Sequence, residues 1–215
     1  TLFSSRYSFN QAQQLALSLG QKVSLNPQTI QNYNQNSTGF TVFASYPLRR
    51  FSFMRLGLSY GLTKTNITTF SDASKLLFQS VQFRSFAGPS AMNGIISSTL
   101  TPTLNYNTVN NPVNPTGGKS FFYSLAVQGG PLGGNVNAIT NVFEYKHFQP
   151  MHKRRNVLGY RVQTSYTTSF GGLQLPPFSR FYMGGEDTVR GFDIRAISPV
   201  TFIPVKSVQQ FSYLD

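Results

Sequence analysis

A period of two in the hydropathy of long segments constrains this chain more than any other feature. Within Phe51–Leu62, Met54, Leu56, Leu58, Tyr60 and Leu62 share one parity, while Arg55, Gly57, Ser59 and Gly61 share the other. A strand sends successive side chains to opposite faces, so this segment presents one apolar wall and one small or polar wall. The alternation returns in Phe3–Phe9, Phe40–Leu48, Ile96–Tyr106, Phe121–Gln128 and Leu158–Phe170, and less cleanly in Ile139–Lys146. Seven strands are therefore predicted, most of them about nine to fourteen residues long, whereas strands of soluble domains run to about five or six. A tilted strand that crosses a membrane needs about nine to eleven. Length thus favours a transmembrane β-barrel over a soluble sandwich.

Composition agrees. Charged residues make up 11% of the 215, against about 25% in an ordinary soluble domain. No window approaches the eighteen or so consecutive apolar residues of a helical span. A barrel wall escapes that test because half of every strand is polar, and the mean hydropathy is −0.18. The net charge of +12 raises nucleic acid as a partner, but apart from Arg49–Arg50 and Lys153–Arg155 the basic residues are scattered singly. Without a basic helix or stripe, no nucleic-acid partner is expected. The absence of Cys excludes disulfides, thiolate metal sites and cysteine nucleophiles. Thr1–Gly20 lacks the basic end and apolar run of a signal peptide, so for an exported protein the expectation is a mature or truncated piece.

The connections alternate in length. Asn10–Thr38 and Thr63–Gly94 are long, while Arg49–Arg50 and Gln149–Asn156 are tight and basic. Outer-membrane barrels have long loops outside and short turns on the periplasmic side; the short, Gly-rich Gly129–Asn135 is the exception. Within the second long connection, Ser71–Phe86 is predicted to hold a short helix, with Ser71 as N-cap and Leu77 and Val81 four apart. Tyr46, Tyr60, Tyr106, Phe121, Tyr145, Phe148, Tyr160 and Phe170 fall near strand ends, where interfacial girdles place aromatic rings. Seven strands left open would expose two unpaired edges, which lipid does not tolerate. The expectation is an interior portion of a larger barrel, one domain over 1–215 with strands to about residue 170. The competing count makes Pro199–Tyr213 an eighth, Pro-interrupted strand.

Beyond the strands, Gly171–Pro199 reads GGLQLPPFSRFYMGGEDTVRGFDIRAISP. Phe181–Tyr182, Gly184–Gly185, Thr188–Val189 and Arg190–Gly191–Phe192 resemble the signature of the BamA-type outer-membrane protein assembly superfamily, the bacterial surface antigen barrels. In that family the motif marks a long loop folded back into the lumen, here about residues 171–215. The strand–Asn-Pro-Thr-Gly-Gly–strand run over Thr103–Val127 is similar to the family's periplasmic turn. The resemblance implies an antiparallel barrel of roughly sixteen strands, with about four upstream of this chain and five downstream, preceded by periplasmic POTRA domains. Glu186–Asp187 replace the small polar residues common in that loop, and Trp is missing from the girdles.

The motif has its own physics. Gly184, Gly185 and Gly191 permit positive φ or close backbone approach, as a tight loop tip requires. Val189 belongs to the same motif, and Phe192 can wedge apolar surface against the wall and fix the register. Arg190 carries a permanent charge with five donors, and inside a barrel it needs an acidic partner. By resemblance that partner lies on strands downstream of the loop. Within this chain Glu144, the one acid on a predicted strand, is the candidate substitute.

No enzyme is expected. His147 and His152 are five apart across a strand end and turn, which suits no metal site. Glu186–Asp187 adjoin in one loop rather than facing across a cleft, and Gly129–Gly134 lacks the Lys and helix of a phosphate cradle. No cofactor is implied. The resemblance implies a barrel that folds and inserts other outer-membrane proteins through a weakly closed seam between its first and last strands. Its partners would be outer-membrane lipid, nascent β-barrel proteins and, through the POTRA domains, periplasmic accessory lipoproteins. Two alternatives stand beside it: a secretion pore of the same superfamily, and a soluble all-β glycan-binding module.

Overall fold

The computed structural model describes residues 1–10, 32–48, 53–88, 91–151, 156–185, 188–192 and 197, and the backbone alone of 200–205 and 208–213. Seven antiparallel strands form one sheet in chain order: β1 (Leu2–Asn10), β2 (Asn32–Pro47), β3 (Met54–Thr69), β4 (Ile95–Asn107), β5 (Gly118–Gln128), β6 (Ala138–Met151) and β7 (Asn156–Ser169). This meander curls into about half a barrel. A two-stranded hairpin, β8 (Val200–Val205) and β9 (Val208–Tyr213), is separate from it. Pro199–Tyr213 therefore adds no eighth strand to the wall, and the region after residue 170 holds a hairpin as well as a loop.

Register sorts the faces. Leu62 pairs with Phe40 and Ser98, Tyr60 with Val42 and Leu100, and Leu56 with Tyr46 and Leu104. Paired residues share a face, so the apolar parities of β2, β3 and β4 combine into one outward stripe. It continues through Phe121, Tyr123 and Val127 of β5, Tyr145, Phe143 and Ile139 of β6, and Tyr160, Val162 and Tyr166 of β7. The opposite face carries Ser59, Thr101, Thr103, Ser124, Thr140, Ser165 and Thr167, a polar lumen wall.

β1 departs from the pattern. Leu2 pairs with Phe40 and so points outward, which sends Phe3, Tyr7 and Phe9 into the lumen. Its apolar parity is real but serves an interior core. Phe9 stacks on Tyr33 at 5.3 Å, and Tyr33 meets Phe78 edge-on at 5.0 Å. These join Ile67, Val81, Phe83, Ile95, Val136, Ala138 and Leu175 in one buried cluster at the long-loop end of the lumen.

β2 and β3 are each sixteen residues, longer than their alternating segments. The apolar run Met54–Leu62 covers about 26 Å of strand, or about 20 Å of height at a tilt near 40°, the scale of a barrel's apolar band. Lys64, Asn66 and Thr68 continue the outward parity beyond it. Past the lipid the outward face needs no apolar side chain, so the strand goes on without its hydropathy signal.

The helix α1 (Asp72–Ser80) lies within the predicted stretch. The Ser74 N–H donates to the Ser71 side chain at 3.2 Å, closing the N-cap, and Asp72 complements the dipole in the first turn. Ala73, Ser74, Leu77 and Phe78 are buried. The Asn32 N–H donates to Ser74 Oγ at 2.7 Å, fastening the helix to β2. Gly129–Asn135 tightens into a 3-10 turn at Gly130–Leu132. The tips of the Arg49–Arg50 and Gln149–Asn156 turns lie outside the described residues.

Candidate functional site

The loop leaves the upper end of β7 and turns back on Gly171 and Gly172, both at φ 75°. The Gln174 N–H donates to the Gln82 carbonyl at 2.8 Å, tying the loop to the segment behind α1. Leu175 enters the lumen core and Phe178 packs against it, while Pro176 and Pro177 are fully buried. A short 3-10 turn at Pro177–Ser179 is braced by its own side chains: Arg180 Nε donates to the Leu175 carbonyl at 3.1 Å, and the Tyr182 hydroxyl donates to the Pro177 carbonyl at 3.0 Å. An apolar foot of Leu and Pro therefore anchors the start of the loop on the interior core.

From this foot rises a narrow hairpin. Met183 bridges Ile197, and Gly185 bridges Val189. The Gly185 N–H donates to the Phe192 carbonyl at 2.9 Å. Gly184, Gly185 and Gly191 sit at φ 109°, 95° and 87°, conformations that L side chains rarely adopt. Thr188 is the staple: its hydroxyl donates to the Gly184 carbonyl at 2.9 Å and accepts from the Gly184 N–H at 2.8 Å. One side chain thus satisfies both backbone groups of a glycine across the turn. Membership of the motif alone gives Thr188 no role; the sequence signal for this one is a hydroxyl residue closing a Gly-Gly-x-x-Thr turn.

Val189 is half-buried, whereas Arg190 and Gly191 are exposed and Phe192 is 55% exposed. The Phe192 ring is not closed against the described wall. Glu144 stands on the lumen face of β6, as its parity requires, but the structure does not bring Arg190 to it. Instead Lys146 Nζ lies 2.7 Å from Oε1, and Arg161 reaches Oε2 through Nε at 2.7 Å and Nη2 at 2.5 Å. Arg161 Nη2 also donates to Gln163 Oε1 at 2.5 Å. Both carboxylate oxygens are engaged by wall cations, and among the described residues Arg190 has no ion pair. Glu186 and Asp187 lie outside the described residues. The arrangement can hold an exposed cation on a short hairpin that follows the buried foot. Among the described residues no three His, Asp or Glu side chains converge as a metal site would need.

A half-barrel with an apolar outer stripe, a polar inner wall and an apolar foot packed on the interior core defines a segment of a transmembrane β-barrel. The Omp85 superfamily domain matches residues 1–210, so the chain belongs to that superfamily and is part of an outer-membrane protein. It is 25% identical over 183 residues to the outer membrane protein assembly factor BamA of Nitratidesulfovibrio vulgaris, covering 85% of this chain and 22% of that protein. It is also similar to the crystal structure of BamA from Haemophilus ducreyi lacking POTRA domains 1–3, with a TM-score of 0.64 and 18% identity over 93% of this chain and 35% of that one. The chain thus spans well under half the length of the relatives it matches. The soluble glycan-binding alternative has no place in this family.

Proposed function

We propose that this chain is barrel wall and lumen loop of an assembly factor that folds and inserts other outer-membrane β-barrel proteins, without enzymatic chemistry. The observation that carries the reading is the pair of bridges Met183–Ile197 and Gly185–Val189 beside Arg190–Gly191–Phe192, following a foot at 175–178 that packs on the interior core. The wall's part is rigidity: seven strands paired in chain order, with the β4–β5 ladder interrupted only at Thr101–Pro102, let strain concentrate at a seam elsewhere in the barrel. An exposed seam edge offers N–H and C=O groups to an incoming strand, which is how edges template strand addition. The loop's part is to tie the wall to strands that follow it, through Arg190 and an acid outside this chain. Nascent barrels would be the substrates, and accessory lipoproteins would act through periplasmic domains.

The test is reconstitution of the full-length protein in liposomes with a denatured reporter barrel, read by heat-modifiable mobility. Wild-type protein is expected to accelerate reporter folding. Arg190→Ala should lose most of that acceleration while its own barrel stays heat-modifiable. No acceleration by wild type, together with export of a soluble partner, would replace the reading with a secretion pore.

A further inference from the structure

The outward face carries one feature that neither the lumen loop nor strand assembly uses. Lys119 pairs in register with His147, and His147 with Tyr160, so the three form a row across β5, β6 and β7. All three lie on the parity of Phe121, Tyr145 and Val162, the row next to them toward mid-membrane. The row is near the short-turn end, since Lys119 follows the first residue of β5 and Tyr160 is close to the start of β7. His147 Nδ1 and the Tyr160 hydroxyl are 3.0 Å apart, their ring centroids 5.3 Å apart, and Tyr145 flanks Tyr160 at 5.9 Å. When the Tyr160 hydroxyl donates to Nδ1, His147 keeps Nε2–H as a donor; when His147 donates, the hydroxyl is shared with the Tyr145 side chain, which also hydrogen-bonds it.

Lys119 is exposed and has no acidic partner among the described residues. Both ion pairs found belong to Glu144, on the opposite face of the sheet. A cation on the lipid-facing side is costly unless it reaches an interface and finds a counter-charge there. Neighbouring strands are about 4.8 Å apart, so the row spans about 10 Å with His147 at its centre, and one headgroup phosphate lying over the row would be within reach of the flexible lysine and of the His–Tyr pair. The aromatic rows above would meet the glycerol and upper acyl carbons.

We infer that Lys119, His147 and Tyr160 form a site for the phosphate of an anionic glycerophospholipid in the periplasmic leaflet. The inference concerns the lipid face and stands apart from the assembly reading. Lys119 supplies charge, and the His–Tyr pair supplies an oriented donor and a flat surface. The site would fix the height of β5–β7 in the bilayer.

Native mass spectrometry of the full-length protein, titrated with phosphatidylglycerol or phosphatidylcholine, tests it. Wild type is expected to retain phosphatidylglycerol in preference. Lys119→Gln should lower that retention about fivefold, the share one interfacial lysine contributes. Tyr160→Phe should lower it about two- to threefold, as loss of one exposed hydrogen bond would. Lys64→Gln, outward but toward the other end of β3, should leave it unchanged. Heat-modifiability checks each variant's fold, and if Lys119→Gln does not fold, Tyr160→Phe and His147→Gln carry the same reading. Equal retention of both lipids by wild type would overturn the inference, as would retention unmoved by the folded variants. Displacement of the lipid by inorganic phosphate at equal concentration would overturn it too, as the mark of an unspecific anion site.

Discussion

Thr188→Val removes one hydroxyl and keeps the side chain's shape, so it isolates the staple of the lumen hairpin. The wild-type hydroxyl makes two hydrogen bonds to Gly184, at 2.9 and 2.8 Å. Both are solvent-exposed, so water replaces them in the variant and no buried group is orphaned. Each is then worth the low end of the usual net range, about 0.5 kcal/mol, or about 1 kcal/mol together. That is about a fivefold larger population of the opened hairpin. Gly184 and Gly185, already entropically expensive to hold at positive φ, have no side chains to compensate. Hydrogen exchange by mass spectrometry on the full-length protein reads the effect directly. Peptides covering 183–192 should exchange about fivefold faster, since exchange tracks the open population, while peptides from β3 and β4 stay unchanged. Unaltered exchange at 183–192 would refute the staple and would place the hairpin's stability in contacts with strands outside this chain.

Other perturbations separate wall, core and lumen. Phe78→Ala empties a fully buried position between Tyr33 and the cluster. It should cost about 3–5 kcal/mol locally, seen as faster exchange in 70–86 and raised single-channel conductance as the inner core loosens. Ser71→Ala removes the N-cap acceptor of α1 and should cost about 1 kcal/mol, with exchange rising in the helix alone. Gly39→Ala would put a Cβ 2.2 Å from the Leu62 carbonyl oxygen, which is backbone and cannot swing aside. The β2–β3 ladder must shift, lowering the heat-modification midpoint in line with an overpacking cost of about 1–3 kcal/mol. At Gly57 the near atom is the Thr103 hydroxyl at 2.3 Å, a side chain that can rotate, so Gly57→Ala should be the milder of the two. Glu144→Gln leaves Lys146 and Arg161 facing each other across the lumen wall without their counter-charge. It should destabilise by about 1 kcal/mol, read as a lowered unfolding midpoint in detergent, because Arg161 is largely solvated.

The wall was legible because lipid enforces alternation: wherever the outward face meets acyl chains, as in Met54–Leu62 or Leu158–Tyr166, the strand announces itself. Where that pressure stops, so does the signal. Asn32–Thr38 and Thr63–Thr69 are paired strand with polar residues on the outward face, and nothing in their composition separates them from loop. β1 shows a second limit. Alternation gives two faces but not which one meets lipid, and only the pairing of Leu2 with Phe40 turns Phe9 inward. The helix could be found because its cap and its apolar spacing are local. The wall partners of Glu144 could not, since Arg161 lies on the next strand and its proximity depends on register. At the loop, glycines at positive φ follow from the motif itself. The buried Leu175–Pro177 foot does not, because it depends on a core assembled from β1, β2, β3, β4, α1 and β6.

The central claim is that this sheet is a membrane-spanning wall with lipid on one face and water on the other. The chain has no native cysteine, so single cysteines at Leu56, Gly57, Leu58, Ser59 and Tyr60 can be introduced in the full-length protein and reconstituted in liposomes. A small water-soluble thiol reagent should label Gly57→Cys and Ser59→Cys, whose side chains face the lumen, and spare Leu56→Cys, Leu58→Cys and Tyr60→Cys. Labelling that runs through all five positions without alternation would contradict the account.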